Sequence, residues 1–319
     1  MSDSTIIGLG TAAIGRPSYI NVKTKDNQEE ISLEGFKQNG LKVLDKAHEL
    51  GIRYFDTAPG YGMAEELLLN WIQNNKLSSV SVGTKWGYTY VANFDKNATV
   101  HEIKDHSVQK LTEQWSISKA FNNHLNFYQI HSAGFDTQVL FDEKVLAELH
   151  KIKKQTGIQI GITTSGAEQI KTIEKALEIK VGDEFLFDTY QVTYNMLDQS
   201  LKDVLNKLRT LKKTVIVKEA LANGRLFRNS NYPNYLELYD HLTMLAQKYN
   251  VGIDAIAIRY VMDSINPAIV LSGASTCEQL SQNLKAREFK LTVQEVEVLS
   301  SFKVSPEQYW SERKKLIWN

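Results

Sequence analysis

Four side chains that could move protons follow apolar runs in this sequence of 319 residues. Asp56 ends the run from Arg53 to Asp56, which we expect to be a strand, and Tyr61 lies in the Pro- and Gly-rich turn after it. Lys85 ends the next apolar run, and His131 ends another. A phenol is a poor acid at neutral pH unless a nearby cation stabilises its phenolate. An Asp, a Tyr, a Lys and a His held together would therefore suit acid catalysis.

Each of these residues also has a purely structural interpretation. An Asp at a strand end often caps the next helix, and a Lys there is usually solvated. A Tyr in a loop usually packs, and a His on an apolar strand is more often a core residue than a catalyst. The four together, in order and each at or just beyond a strand end, favour the catalytic interpretation.

The elements that must position these residues alternate along the chain. Eight short apolar runs read as strands, with helical periodicity between them. This alternation predicts a (β/α)8 barrel of parallel strands in one domain over residues 1–319, with the active site at the carboxyl ends of the strands. We expect a helix over Val100–Ser118, and an extra helix over Leu236–Tyr249.

Composition narrows the class of function. Lys and Arg together number 37, as do Asp and Glu, so the net charge is zero and neither nucleic acid nor an anionic membrane surface is expected as a partner. Cys277 is the single cysteine, which excludes an intramolecular disulfide and fits a reducing compartment. No apolar run reaches roughly 18 residues and the first residues lack signal-peptide features, so we expect a cytoplasmic protein. The sequence leaves the oligomeric state open.

Two kinds of cofactor site are not expected. The seven histidines are scattered and the lone cysteine has no partner at ligand spacing, so we predict no metal site. No Gly-x-Gly-x-x-Gly follows a strand, so we do not expect a Rossmann domain to bind a dinucleotide.

The order and rough spacing of several motifs resemble those of the aldo-keto reductase family, from about residue 5 to about residue 287. The matching motifs are Gly8-Leu9-Gly10-Thr11, Phe55-Asp56-Thr57-Ala58 with Tyr61-Gly62, Thr84-Lys85, Tyr128-Gln129-Ile130-His131, and Ser272-Gly273-Ala274 with Asn283. The resemblance implies hydride transfer between a nicotinamide and a small carbonyl compound, with Tyr61 as proton donor. It also implies that Lys85 lowers the pKa of Tyr61, that Asp56 holds Lys85, and that His131 orients the carbonyl oxygen.

The same resemblance implies a cofactor site. Thr164 and Ser165 replace a usual Ser-Asn pair, Gln191 matches a Gln on the sixth strand, and Lys218 stands where a Tyr often stacks on the nicotinamide. The other expected cofactor contacts are Gly10, Thr11, Leu221, Asn223, Gly224, Ser272, Gly273, Ser275, Gln279 and Asn283. Many family members carry an Arg or Lys where Ser275 and Gln279 stand, to bind the 2′-phosphate of NADPH. The resemblance favours NADPH, and NADH stays open.

Substrate contacts are less constrained. Trp86 and Tyr88 follow Lys85 and predict an aromatic wall for an aldehyde, ketone or sugar-like carbonyl, although both could simply pack. The family resemblance places the tail from Leu291 to Asn319 near the barrel mouth, where Trp310 and Trp318 either touch ligand or pack.

Two other functions stay open at this point. One is a nicotinamide-binding regulatory protein on the same barrel, like the potassium-channel β subunits of the family. The other is an unrelated barrel enzyme that binds a phosphorylated substrate at Ser272-Gly273.

Overall fold

A closed barrel of eight strands forms the centre of the protein. The computed structural model describes residues 5–16, 32–95 and 98–316. The strands β1 to β8 are, in chain order, Ile6–Gly10, Tyr54–Asp56, Ser81–Trp86, Leu125–Ile130, Gln159–Thr163, Thr189–Thr193, Thr214–Lys218 and Ile269–Ser272. They are all parallel, and around the barrel their order is β1-β8-β7-β6-β5-β4-β3-β2. The predicted (β/α)8 barrel is confirmed.

Helices surround this barrel. In chain order, α1 to α12 are Ala12–Gly15, Leu33–Glu49, Ala64–Asn74, Val108–Ser118, Glu143–Thr156, Gln169–Glu178, Lys202–Thr210, Leu236–Tyr249, Ile253–Ile265, Cys277–Leu284, Val293–Ser301 and Pro306–Lys314. Two helices, α8 and α9, separate β7 from β8, so α8 is the extra helix that the sequence predicts. Across the described ranges, no helix is both long and apolar enough to cross a membrane.

The strands divide their side chains between two apolar clusters because successive residues point to opposite faces. The smaller cluster, inside the barrel, contains Tyr54, Ile216, Ile269 and Leu271. The larger one joins the outward faces of the strands to the helices. Gly83 makes room for the inner cluster, since a Cβ atom there would overlap the Tyr54 hydroxyl. Tyr54 can therefore lie inside the barrel, one inward position below Asp56.

A β-hairpin replaces the first part of the predicted helix Val100–Ser118, so that prediction is wrong at its start. Glu102–Lys104 pairs antiparallel with Tyr88–Tyr90, and α4 begins only at Val108. The Ser107 side chain accepts a hydrogen bond from the Lys110 amide at 3.2 Å and caps the helix there. The hairpin packs closely against the turn that carries Tyr61. A Cβ atom added to Gly60 would lie only 3.0 Å from Tyr88 Cβ, so there is little space between them.

The C-terminal tail folds back over the loops at the barrel mouth, as the sequence predicts. In α12, the Tyr309 hydroxyl accepts from the Asn195 amide at 2.9 Å, and the Trp310 indole donates to Asp198 Oδ2 at 3.1 Å. Trp310 is buried, which confirms packing over ligand contact. Trp318 lies outside the described residues.

Candidate active site

Strand alternation brings a set of polar side chains to the carboxyl end of the barrel. Asp56 in β2 follows the inward-facing Tyr54 by two residues, and Lys218 in β7 follows the inward-facing Ile216 by two. Lys85 in β3 occupies the inward position after Gly83. Because all eight strands are parallel, these side chains share one mouth.

Asp56 and Lys85 form a buried ion pair. The Lys85 ammonium lies 2.5 Å from Asp56 Oδ1 and also donates to the Thr57 carbonyl at 2.9 Å. Both side chains are shielded from solvent, so the attraction between them is much stronger than at a surface. The pair as a whole carries no net charge.

The second oxygen of Asp56 is also bonded. The Gln191 amide donates to Asp56 Oδ2 at 2.7 Å, across the barrel from β6 to β2, and the Tyr54 hydroxyl lies 3.4 Å from the same oxygen. Below them, the Gln129 amide donates to Thr189 Oγ1 at 3.0 Å. Gln191 is thus engaged with Asp56, and its contact with a cofactor stays a prediction.

Tyr61 lies directly beside this ion pair. It ends a single 3₁₀ turn, Pro59–Tyr61, and Gly62 follows with a φ of 64°, a conformation that favours glycine. The Lys85 ammonium is 4.8 Å from the centre of the Tyr61 ring, and the His131 ring meets it edge-on with centroids 5.4 Å apart. The structure therefore brings together Asp56, Tyr61, Lys85 and His131.

The electrostatics at Tyr61 differ from our expectation. Burial raises the pKa of Tyr61 well above 10, and the Asp56 carboxylate raises it further. The expected lowering of the Tyr61 pKa by Lys85, which is bonded to Asp56 at 2.5 Å, stays a prediction. Arg16 is the cation with the largest lowering effect on the pKa of Tyr61. In this structure the phenol is fully protonated at neutral pH.

Arg16 is a functional candidate that sequence reasoning missed. Its guanidinium lies 5.4 Å from the centre of the Tyr61 ring, donates to the Gly60 carbonyl at 2.9 Å and pairs with Glu102 at 2.5 Å. Arg16 is buried, so it braces the turn that presents Tyr61 and adds positive charge to it. In sequence it stands in a Gly-Arg-Pro stretch that reads as an ordinary connection; only the spatial pairing with Glu102 reveals it.

His131 is a neutral imidazole. Burial lowers its pKa well below 6.5, and the charges of Lys85 and Arg16 lower it further. Its Nδ1 atom is buried and has no hydrogen-bond partner among the described residues. His106 Nε2 donates to the His131 carbonyl at 2.9 Å, and burial lowers the pKa of His106 to about 4. A neutral imidazole can donate one hydrogen bond to a substrate oxygen without releasing its own proton.

The two predicted substrate contacts, Tyr88 and Trp86, lie on different sides of the barrel wall. Tyr88 is half-buried, and its ring lies 4.4 Å from that of His131, so it does form a wall of the mouth. Trp86 is fully buried in the cluster between strands and helices and packs edge-on against His106 at 5.5 Å. Its place as a substrate contact is wrong, because residue 86 takes the outward face of β3, one position after the inward Lys85.

The predicted cofactor residues at the ends of β1 and β5 differ in accessibility. Thr11 is buried and its hydroxyl donates to the Asp56 carbonyl at 3.0 Å, while the neighbouring Gly10 is half-buried. Thr164 is buried with its hydroxyl bonded to Gln169 Oε1 at 3.1 Å, whereas Ser165 is exposed. Of the two residues that stand for the usual Ser-Asn pair, Ser165 is therefore the accessible one.

The loop after β8 is closed by its own polar groups. Gln279 Oε1 accepts from the Ser275 amide at 3.0 Å and from its hydroxyl at 3.2 Å. Ser272 and Asn283 are buried 2.8 Å apart, and the Asn283 amide nitrogen, in the orientation that satisfies both its ends, donates to Asp254. Asn283 thus braces the loop from beneath, and its contact with a cofactor stays a prediction. Gly273 is exposed, with open space beside its Cα.

The loop after β7 is held in a left-handed conformation. Glu219, Ala222 and Asn223 have φ values of 58°, 48° and 55°, and Gly224 has 83°. Leu221 is half-buried between them. A fixed loop of this kind exposes backbone groups at constant positions, as a dinucleotide site requires, and the contacts of these residues with a cofactor stay predictions.

Glu219 ties this loop to the C-terminal helix. Arg313 in α12 donates to both Glu219 oxygens, at 2.6 to 3.1 Å. Burial raises the pKa of Glu219, but the charges of Arg313 and Lys218 and the hydrogen bonds of Arg313 outweigh burial and lower it to about 2. Sequence reasoning missed this pair because its members are 94 positions apart.

The mouth has the features of a nicotinamide site. The His131 ring lies there beside Tyr61 with a buried Nδ1 atom that no described residue bonds, and Ser165 and Gly273 are exposed after strands β5 and β8, where ligand could approach the chain. These donors and this open space fit a dinucleotide. No cluster of His, Cys, Asp or Glu suited to a metal ion occurs in the part of the chain that the structure describes.

Comparison with known proteins gives a consistent result. Residues 6–303 match the sequence profile of the Aldo/keto reductase family. The NADH-specific methylglyoxal reductase of Escherichia coli is 22% identical over 314 residues, which cover 90% of this chain and 90% of that protein. The aldo-keto reductase str7 of Strobilurus tenacellus is 21% identical and covers 90% of this chain and 84% of its own length.

Solved structures agree on the fold. A glycerol dehydrogenase from Gluconobacter oxydans superimposes with a TM-score of 0.70 at 22% identity, over 93% of this chain and 90% of that one. An aldo-keto reductase from Bacillus halodurans, in its holo form, gives 0.68 at 20% identity, over 94% and 92%.

Proposed function

The chain belongs to the Aldo/keto reductase family and is an oxidoreductase, and on that premise we propose that it reduces a short aldehyde, ketone or sugar-like carbonyl at the barrel mouth. The observation that carries the proposal is the buried Lys85–Asp56 pair, 2.5 Å apart, with Lys85 4.8 Å from the ring of Tyr61. The phenol and the neutral His131 stand on the same side of the mouth.

A bound nicotinamide cofactor supplies the hydride that reduces the carbonyl carbon in this family. Tyr61 donates its phenolic proton to the carbonyl oxygen as negative charge develops there. Its raised pKa keeps that proton in place at neutral pH. His131, as a neutral donor, holds the carbonyl oxygen, and the fixed positive charge of Lys85 stabilises the phenolate left behind.

The residues that would hold the cofactor are Ser165, Gln191 and the loops after β7 and β8. NADPH is the form that the family resemblance favours, but Ser275 and Gln279 bind each other and offer no positive charge to a 2′-phosphate. One relative is named as NADH-specific. We therefore propose that NADH binds at least as well as NADPH.

The substrate proposal rests on the walls of the mouth and on the names of two similar proteins. The Gln191–Asp56 hydrogen bond closes the barrel beneath it, and Tyr88 stands against His131 at its side. Two similar proteins carry names that refer to three-carbon compounds, methylglyoxal and glycerol. Methylglyoxal and glyceraldehyde are therefore the first substrates to test. A cytoplasmic location stays a prediction.

The proposal is tested by following the absorbance of NADH and NADPH with purified protein and a panel of methylglyoxal, glyceraldehyde, benzaldehyde and a ketone. We expect turnover of at least one aldehyde, at rates within the usual range of about 1 to 1,000 per second. Fluorescence titration with each cofactor, without substrate, gives the two dissociation constants. Cofactor binding with no turnover across the panel would contradict the carbonyl reductase and favour the regulatory alternative. The unrelated barrel enzyme is excluded by family membership.

A further inference from the structure

A second lysine occupies the inward face of the barrel mouth. Lys218 is the last residue of β7, two positions above the inward-facing Ile216, so its side chain points toward the barrel axis. Its side chain is 19% exposed, and its charge acts on Lys85, Asp56 and His131, which makes it part of the same mouth. Lys218 has no role in the proton transfer proposed for Tyr61, and it is not part of the Lys85–Asp56 ion pair.

The other cations of the mouth already have carboxylates of their own. Lys85 pairs with Asp56 and Arg16 pairs with Glu102, each at 2.5 Å. Over α12, Arg225 pairs with Glu312 at 3.2 Å. These three pairs are neutral, so they leave no excess charge at the mouth.

No carboxylate among the described residues accepts a hydrogen bond from Lys218. The nearest one, Glu219, is 3.9 Å from the Lys218 ammonium, beyond hydrogen-bond distance, and Arg313 already holds both of its oxygens. Within the described ranges, Lys218 donates one hydrogen bond, to Thr193 Oγ1 at 2.8 Å. An ammonium has three N–H donors, so two remain for another acceptor.

The charge of Lys218 is present under ordinary conditions. Burial lowers its pKa to about 8 and Glu219 opposes that effect. At neutral pH the group is therefore mostly protonated. A protonated amine with two free donors, partly desolvated beside a neutral His and a neutral ion pair, attracts an anion.

We propose that Lys218 binds a carboxylate of the substrate, so that the preferred substrates are aldehydes or ketones that carry an acid group a few bonds from the carbonyl. This inference rests on the proposed carbonyl reductase function. It gives Lys218 a role in substrate selection, in place of the cofactor contact expected from the family resemblance. The carbonyl oxygen would lie at Tyr61 and His131, and the acid group at Lys218.

The test uses two matched pairs of substrates that differ in one charge: succinic semialdehyde against its methyl ester, and 4-carboxybenzaldehyde against its methyl ester. The readout is the ratio of kcat/KM within each pair, because any general damage to the enzyme cancels in it. We expect a ratio of about 10 to 100 in favour of the acid for the wild type, as for a charge-assisted hydrogen bond. Lys218→Met should bring the ratio to about 1 or below, and Lys218→Arg should retain most of it. Lys207→Met, on the exposed face of α7, is the matched control and should leave the ratio unchanged.

Binding without turnover gives an independent readout. Calorimetric titration of the protein with 4-carboxybenzyl alcohol, and of Lys218→Met in parallel, measures the carboxylate contact alone. NADH and NADPH dissociation constants of both proteins are measured by fluorescence.

The outcomes separate the two proposals. Turnover of the esters with no preference for the acids, or an equal loss on both in Lys218→Met, overturns the carboxylate site and leaves the reductase standing. Weaker cofactor binding in Lys218→Met with an unchanged ratio assigns Lys218 to the cofactor and also overturns it. If no carbonyl is turned over, the reductase proposal fails, and the calorimetry still decides the carboxylate site: loss of binding in the variant supports it, and absence of binding by the wild type overturns it.

Discussion

Two opposite charges act on the Tyr61 ring from within the same mouth. Asp56 raises the pKa of the phenol and Arg16 lowers it, while burial exceeds both. A unit charge about 5 Å away is worth about 3 kcal/mol at an effective dielectric constant near 20, or about two pKa units. Arg16 is the cation that lowers this pKa most, so it helps Lys85 to stabilise the phenolate that forms when Tyr61 gives up its proton.

Replacing Arg16 by Met should therefore weaken Tyr61 as an acid and raise its pKa further. We expect kcat for carbonyl reduction to fall about 10-fold or more, and the alkaline limb of alcohol oxidation to move up by about one to two pH units. Arg16→Lys keeps the positive charge, so its alkaline limb should lie close to the pH of the wild-type limb. The measurement is the pH profile of kcat in both directions for the three proteins. A profile that keeps its shape in Arg16→Met, with only a lower unfolding midpoint, would show that Arg16 merely packs.

At the residue level, the sequence predicted those site residues that stand at or just beyond the end of a strand. Asp56, Lys85 and His131 were found in this way, because an apolar run and its end are local features. Arg16 was not found, since its partners Gly60 and Glu102 are distant in sequence. The raised pKa of Tyr61 was not foreseen, because burial is its largest cause and the sequence does not show how deeply the ring is buried.

Among the elements, α12 has a function beyond covering the barrel. Through Arg313 it holds Glu219, which opens the left-handed loop after β7. Left-handed φ values cost of order 1 kcal/mol for each non-glycine residue, so such a loop persists only where other contacts fix it. The C-terminal helix thereby positions a loop after β7, whose Glu219 charge also acts on Tyr61.

Breaking this link should destabilise the fold in a pH-dependent way. The pKa of Glu219 is lowered from an ordinary 4.5 to about 2, so its stabilising contribution is fully present above about pH 4.5 and is lost as the pH falls toward 2. We expect Glu219→Gln to lower the free energy of unfolding by about 2 kcal/mol at pH 7. The difference from the wild type should shrink by about 1 kcal/mol at about pH 3.5.

The measurement is urea unfolding of the wild type and the variant at both pH values. Glu184→Gln is the control, because Glu184 lies 2.5 Å from Lys154, close to the 2.6 Å between Glu219 and Arg313, but is about half exposed, and surface pairs contribute little. An equal effect of the two substitutions, or a gap that does not narrow with acid, would contradict the assigned role of Glu219.

Element boundaries show the limit of periodicity. The extra helix α8, which has an apolar face and ends at Asn250 in a left-handed conformation, was predicted closely. The strand Glu102–Lys104 was predicted as part of a helix, because three residues are too few to distinguish a strand pattern from the helical pattern that follows. Ser107, three residues before the amide that it caps, is the local signal that marks the true start of α4.

On the scale of the whole molecule, the barrel does what no single element can. It places Tyr61 after β2, Lys85 on β3 and His131 after β4 within contact distance, and joins β6 to β2 through the Gln191–Asp56 hydrogen bond. The alternation of strands and helices predicted this closure, because parallel strands with covering helices have few other ways to bury both faces. That residues 1–319 form a single domain stays a prediction.

The most direct test of this account is Tyr61→Phe, which removes one hydroxyl and leaves the ring beside Lys85 and His131. Turnover of the best aldehyde from the panel is measured together with the NADH dissociation constant and the unfolding midpoint. We predict a loss of kcat of about 100- to 10,000-fold with cofactor binding and stability close to the wild type. Turnover that stays within about 3-fold of the wild type, with the same cofactor affinity, would contradict Tyr61 as the proton donor and the mechanism built on it.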